Sequence, residues 1–140
     1  MPDIRAVKQS YFRTVGCRPN KFIGVQPKTL CKEDLGVLSD DWRYLVKYDG
    51  ERRLVYVTSG ECYLIDRNHR FEWMRGWGAC LPRGTTLVLD GELLSKGGTA
   101  MMKIFDVMHL NGRNVEGEDF VSRMSLLSEY WAEHGRDVLW

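Results

Sequence analysis

The sequence has almost no surplus charge and no long hydrophobic run. Its 140 residues hold 20 Lys and Arg against 19 Asp and Glu, a formal net charge of +1. That balance argues against a protein that grips nucleic acid through overall positive charge. Residues 1–70 do carry 13 basic and 9 acidic side chains, which leaves room for a local anion site. No stretch approaches the roughly 18 apolar residues of a membrane-spanning helix, so no membrane partner is expected.

Cysteine spacings typical of metal sites are also missing. Cys17, Cys31, Cys62 and Cys80 form no C-x-x-C pair, which argues against a structural zinc site. The three histidines are scattered, so no metal-ligating residues are predicted. The N-terminus lacks the apolar core of a secretory signal. We therefore expect reduced, mostly buried thiols in an intracellular protein.

The remaining pattern predicts an α+β domain, with antiparallel β-sheets and flanking helices. Asp3 is a candidate N-cap for a helix over about residues 4–14, and residues 118–134 show helical apolar spacing. From residue 42 onward, extended runs are separated by the turn dipeptides Asp49-Gly50, Ser59-Gly60 and Asn111-Gly112. Residues 86–94 and 101–105 are predicted to pair across a loop at 96–99. No linker is long enough to divide residues 1–140 into domains.

One segment, Lys47-Tyr48-Asp49-Gly50-Glu51-Arg52, combines features of a reactive site. A lysine at the end of a buried strand is partly desolvated, and neighbouring cations lower its pKa further, so its amine can act as a nucleophile. Gly50 allows a ligand to approach the backbone closely, and Arg52 can clamp a phosphate or a ribose. Taken singly, each residue also fits an ordinary surface turn.

Together these residues resemble the K-x-D-G-x-R motif of the lysine-dependent covalent nucleotidyltransferases. Two later segments resemble that superfamily's following motifs, in the same order: the acidic D-G-E around Glu92, and the aromatic-acidic pair at Phe105. The alternatives for these segments are a bulge or turn at Asp90-Gly91 and a plain core ring at Phe105. The stretch Ile65-Asp66-Arg67-Asn68 resembles the corresponding stretch of mRNA capping guanylyltransferases. The R-x-Q-x-H pattern that polynucleotide ligases usually have straight after the first motif is missing.

The resemblance implies an ATP-grasp-like nucleotidyltransferase fold and a two-step reaction. Lys47 would attack the α-phosphorus of GTP, aided by Mg²⁺ or Mn²⁺, and the resulting Lys47–GMP would pass its GMP to the 5′-diphosphate end of RNA. Asp49 and Gly50 would order the nucleophile turn. Arg52 and Glu92 would contact the ribose, Arg67 would lie near ribose or phosphate, and Phe105 would stack on guanine.

The resemblance stops before the superfamily's downstream lysine motif. No lysine follows Lys103, and Glu116-Gly117 is followed by a polar helix start. We therefore expect a partial nucleotidyltransferase domain over residues 1–140, incomplete at the C-terminus and without an OB-type domain. A second polypeptide would then be a candidate partner that completes the domain.

Two other interpretations stay open beside the guanylyltransferase. One is a fragment of an ATP-dependent polynucleotide ligase, and the other is a non-catalytic nucleotidyltransferase-like module that binds a partner. Retention of the motif residues favours an enzyme, whereas the missing lysine motif favours the binding module. A cellular capping enzyme would act in the nucleus, and a viral one would be virus-associated.

Overall fold

In the computed structural model, the described residues are 1–16, 22–24, 33, 36, 48–79 and 84–134. The helices are α1 (Ile4–Val15) and α2 (Phe120–His134). The strands are β1 (Glu51–Thr58), β2 (Glu61–Ile65), β3 (Phe71–Trp73), β4 (Leu87–Lys96), β5 (Thr99–Leu110) and β6 (Arg113–Asn114). All paired strands are antiparallel and form one sheet in the order β3-β2-β1-β4-β5-β6. The α+β prediction is confirmed, with a single described sheet in place of several.

Helix α1 forms where its caps and apolar spacing predict it. The Asp3 carboxylate accepts a hydrogen bond from the Arg5 backbone N–H at 3.0 Å, which satisfies a donor that the first helical turn leaves unpaired. The helix ends at Gly16, whose φ of 85° is the left-handed conformation that glycine adopts without strain. Val7, Tyr11 and Val15, spaced four apart, are its buried residues.

Three two-residue turns connect neighbouring strands. Ser59-Gly60, Gly97-Gly98 and Asn111-Gly112 all have positive φ at both positions, the combination that matches the twist of a tight hairpin. The predicted loop at 96–99 is too wide, because Lys96 and Thr99 are already paired across the strands. The turn at Asn111-Gly112 also continues into β6, which the sequence pattern did not predict.

The sheet buries a different apolar cluster on each face. Leu54 and Tyr56 of β1 pack in the cluster that contains the buried residues of α1. Val55 and Val57 pack in the cluster that contains Leu127 of α2. Successive residues of a strand point to opposite faces, so α1 covers one face (the α1 face) and α2 covers the other (the α2 face). Neither described helix is long and apolar enough to cross a membrane.

The structure tests two further sequence predictions, at Cys62 and at Tyr48. Cys62 is free and fully buried, as predicted, and burial raises the pKa of its thiol. Tyr48 was predicted to lie in a strand but is outside any strand, because the bend at Asp49-Gly50 follows it directly. Outside the described residues lie the other three cysteines, the remainder of the strand predicted from residue 42, and Lys47.

Candidate functional site

A buried ion pair lies on the α1 face of the sheet, beyond the part that α1 covers. The Arg52 guanidinium donates from Nε to Asp90 Oδ1 at 2.6 Å and from Nη2 to Asp90 Oδ2 at 2.5 Å. Arg52 is 8% exposed and Asp90 is 0% exposed. Burial raises the pKa of the Asp90 carboxyl to about 6, while Arg52 opposes the shift and the Asp106 carboxylate adds to it. The two-point contact fixes both the position and the plane of the guanidinium.

Aromatic rings and a close backbone segment surround this ion pair. The Arg52 guanidinium carbon lies 4.9 Å from the ring centroid of Phe105 and 5.6 Å from that of Phe22. Both are within the range of cation–π attraction. A Cβ at Gly24 would lie 2.6 Å from Asp90 Oδ2 and 2.8 Å from Arg52 Nη2. Only glycine therefore lets the backbone approach the pair this closely.

Charged residues continue across the neighbouring strands on the same face. Arg52 of β1 pairs in register with Glu92 of β4, and Glu92 pairs with Lys103 of β5. Directly opposed residues of antiparallel strands point to the same face. Lys103 Nζ lies 5.7 Å from the ring centroid of Tyr48, the residue that precedes Asp49-Gly50. The nucleophile turn and the charged row are thus in contact.

A glycine also brings β4 and β5 together beside Asp90. The register shifts between Asp90 and Gly91, so the bulge or turn considered for this dipeptide is present as an irregularity within a continuous strand pair. A Cβ at Gly91 would lie 2.3 Å from the Lys103 carbonyl oxygen, so a larger residue would push the strands apart.

A second buried ion pair connects this region to α2. Asp106 of β5 accepts hydrogen bonds from Arg123 of α2, from Nε at 2.7 Å and from Nη2 at 3.0 Å. Asp106 pairs in register with Asp90 across β4 and β5. The two carboxylates thus each have an arginine partner, one from β1 and one from α2. One ion pair thus connects β1 to β4, and the other connects β5 to α2.

The chain matches the family model described as "mRNA capping enzyme, catalytic domain" over residues 2–135. It belongs to that family. A similar protein is the mRNA-capping enzyme of Caenorhabditis elegans, which is 27% identical over 126 residues, 79% of this chain and 20% of the relative. The chain therefore spans about a fifth of the length of that relative.

One solved structure shows a similar fold, and a second was matched. The ligase domain from M. tuberculosis LigD superposes with a TM-score of 0.56 at 23% identity, over 67% of this chain and 37% of that one. A mycobacterial DNA ligase D complexed with ATP and MES has a TM-score of 0.49 at 23% identity, over 67% and 38% of the two chains. The first of these likenesses confirms a nucleotidyltransferase fold for the described part of the chain.

The structure brings three of the predicted site residues of the capping-enzyme domain together. Arg52, Glu92 and Phe105 share the α1 face. Arg67 instead lies exposed on the turn between β2 and β3, where Asp66 accepts backbone hydrogen bonds from Asn68 and Arg70. The ribose, phosphate and base contacts assigned to these residues stay predictions.

The nucleophile turn is described only from Tyr48 onward. Asp49 is exposed. A Cβ at Gly50 would lie 2.4 Å from the Leu93 carbonyl oxygen. Close packing against β4 thus requires a glycine here, whereas the sequence suggested that Gly50 lets a ligand approach the backbone closely. Lys47 itself stays a predicted nucleophile.

Sequence reasoning missed Asp90 as the partner of Arg52, and it missed Lys103 and Phe22 as neighbours of the site. A signal for Asp90 was present: an acidic residue in a strand whose neighbours are apolar is buried, and a buried carboxylate requires a cation. For Lys103 no local signal existed, because its position depends on the register between β4 and β5.

The described residues offer few side chains that could coordinate a metal ion. They contain no group of three or more His, Cys, Asp or Glu that could hold an ion, and the carboxylates of Asp90 and Asp106 are engaged by arginines. Glu92, half-buried, is the carboxylate of the site outside these pairs. A divalent cation at this site would therefore take most of its ligands from groups other than these residues.

Proposed function

We propose that this chain carries the nucleophile-bearing part of an mRNA guanylyltransferase. The observation that supports it best is the convergence of Arg52, Glu92 and Phe105 on one sheet face, next to the turn that follows Lys47. Membership of the capping-enzyme catalytic family supports the same activity. The substrates proposed are GTP and the 5′-diphosphate end of RNA.

The proposed chemistry takes place in two substitutions at one phosphorus. The neutral amine of Lys47 attacks the α-phosphorus of GTP, a P–N bond forms, the bond to the β-phosphate oxygen breaks, and pyrophosphate leaves. The amine proton passes to solvent. A terminal phosphate oxygen of the RNA then attacks the same phosphorus, the P–N bond breaks, and Lys47 regains its proton.

The described residues supply positioning in this scheme. Phe105, held beside the Arg52 guanidinium, presents a ring for stacking on the base. Glu92 can accept a hydrogen bond from a ribose hydroxyl. A divalent ion, when bound, neutralises the triphosphate and assists the departure of pyrophosphate. Because Asp90 already fixes Arg52, the pocket is ordered before a nucleotide enters.

The test is covalent labelling of the purified chain. We expect α-labelled GTP with Mg²⁺ or Mn²⁺ to leave label that survives denaturation, and Lys47→Ala to lose it completely. The matched control is Lys8→Met, which removes a lysine of α1 that lies over the ring of Phe71 in β3 and is expected to keep the label.

Each other outcome selects a different function. Label from ATP alone would indicate ligase chemistry and would refute the proposal that the chain transfers GMP to RNA. No label from either nucleotide would refute catalysis by this chain alone and favour the non-catalytic module or a chain completed by a second polypeptide. These two alternatives are separated by adding a chain that carries the downstream lysine motif. Restored label would indicate a chain completed by a second polypeptide, and no label would indicate the non-catalytic module.

A further inference from the structure

The charged row across β1, β4 and β5 ends in a lysine for which the scheme above has no role. Lys103 lies opposite Glu92, which in turn lies opposite Arg52. Its Nζ is 5.7 Å from the ring centroid of Tyr48, and Tyr48 is bonded directly to Lys47 in the sequence. The ammonium group is therefore held next to the nucleophile segment, on the face that carries the site.

The two arginines of β1 next to this row, Arg52 and Arg53, are already engaged by carboxylates. Arg52 forms its two-point contact with buried Asp90. Arg53 donates to Glu51 at 2.7 Å and to the Arg52 carbonyl at 2.8 Å. Lys103 forms no ion pair with any carboxylate in the described ranges, and its contact there is the face of an aromatic ring. A cation–π contact orients an ammonium group but does not cancel its charge.

We infer that Lys103 binds a phosphate group of the nucleoside triphosphate beside the nucleophile turn. This inference rests on the proposed function, since it names the residue that binds a phosphate of the same GTP substrate. A lysine ammonium offers three donors and a full positive charge to phosphate oxygens. Phe105 lies two residues further along β5, so one strand provides both the ring for the base and the cation for the phosphate.

Glu92 and Lys103 lie directly opposite each other but form no ion pair within the described part of the chain. Glu92 stands between two cations in register, and Arg52 is already satisfied by Asp90. A ribose that occupies the Glu92 carboxylate would leave the Lys103 ammonium facing the phosphate side of the nucleotide. The base would then lie at Phe105 and the phosphates at Lys103, with Glu92 across from Lys103 on β4.

The test measures binding without reaction, in a Lys47→Ala parent, with guanosine, GMP, GDP and GTP and the matching adenine series. We expect Lys103→Met to weaken binding of GTP by about tenfold to a hundredfold, the usual effect of losing a charge-assisted hydrogen bond. Binding of guanosine should change by less than about twofold, because it has no phosphate. Lys103→Arg should recover most of the affinity for GTP.

Matched measurements separate this role from a structural one. Lys8→Met, which removes a lysine that also lies 5.7 Å from an aromatic ring centroid but on α1 and β3, should bind all ligands as the parent does. Thermal unfolding should show that Lys103→Met is folded. If it is not folded, the comparison of GTP with guanosine is made with Lys103→Arg instead. Equal losses for guanosine and GTP, or no loss for GTP, would overturn the inference. So would a loss confined to a 5′-diphosphate RNA oligonucleotide, which would place the phosphate on the other substrate.

The two proposals fail in different ways. If the wild-type chain forms no covalent adduct but Lys103→Met shows the phosphate-dependent loss, the guanylyltransferase proposal fails and the Lys103 site stands. If the adduct forms and its dependence on GTP concentration is the same in Lys103→Met, the Lys103 inference fails alone. A parent that binds neither nucleotide series at millimolar concentration refutes both.

Discussion

At the residue scale, the Arg52–Asp90 pair couples stability to the geometry of the site. Asp90 is fully buried, so its carboxylate has lost the water that would otherwise solvate it. The two hydrogen bonds from Arg52 replace that solvation. The same contact holds the guanidinium against the Phe105 ring. A change to either partner therefore alters folding and the proposed base-stacking position together.

Removal of the guanidinium should be strongly destabilising. We expect Arg52→Met to lower the free energy of unfolding by about 3–5 kcal/mol at pH 8, because it leaves a buried carboxylate without its cation. Urea unfolding followed by circular dichroism measures the change. Arg113→Gln is the control, since Arg113 and Glu118 form an exposed pair at 3.0 Å whose loss should cost no more than about 1 kcal/mol.

The loss in Arg52→Met should also depend on pH. The folded-state pKa of Asp90 is raised to about 6, so folding favours its protonated form, and this contribution is lost as the pH rises from about 4 through 6. Without Arg52 that pKa should rise further, and protonation relieves the unpaired charge. The destabilisation should thus be smaller at pH 5 than at pH 8. A loss that is equal at both values would contradict this account.

At the scale of the elements, three hairpin turns set the register of the sheet. Each turn contains two residues with positive φ, and a strand displaced by one residue would exchange its two faces. Because the α1 face and the α2 face bury different residues, such a slip would expose both clusters. The turns therefore also determine that Glu92 and Lys103 stand opposite each other.

A substitution at one turn glycine isolates this effect. We expect Gly98→Ala, at a φ of 82°, to reduce the free energy of unfolding by about 1–2 kcal/mol, because a Cβ disfavours the left-handed region. Gly117→Ala is the matched control. Both glycines have open space where the alanine methyl group would lie, but Gly117 has no positive φ, so its change should stay within about 0.5 kcal/mol. Equal effects would show that the turn conformation is not the cause.

The local elements could be predicted from the sequence, whereas their partners could not. The Asp3 cap and the Ser59-Gly60 turn act between neighbouring residues, so local patterns are sufficient to find them. The pairing of β1 with β4 joins segments far apart in the chain, and strand alternation does not specify a partner. For the same reason Arg52 was identified from its motif, while its contact with Asp90, 38 residues away, was not.

At the scale of the whole molecule, the sheet is the shared wall of two apolar clusters. Cys62 of β2 belongs to the cluster on the α2 face and is 0% exposed. Its thiol can meet a reagent only when that cluster opens, and its raised pKa keeps it protonated until then. Cys62 is therefore a natural reporter of opening on this face.

We expect Cys62 to be alkylated at least about a hundredfold more slowly in the native protein at pH 8 than in urea, because reaction requires a rare open state. Peptide mass spectrometry assigns the label to Cys62 apart from the other three cysteines. The unfolded protein provides the reference rate. Alkylation of Cys62 at the same rate in both conditions would show that the α2 face is open in the native state.

The strand lengths across the sheet have a consequence for association between copies. Within the described sheet, the outermost strands are also the shortest, with three residues in β3 and two in β6, while β4 and β5 have 10 and 12. A short outer strand presents few backbone groups on which another chain could add a strand. β6, however, pairs only with His109 and Leu110 of β5. Among the described strands, residues 99–108 of β5 therefore have an unpaired outer side, and it is on this side that a strand of another chain could add.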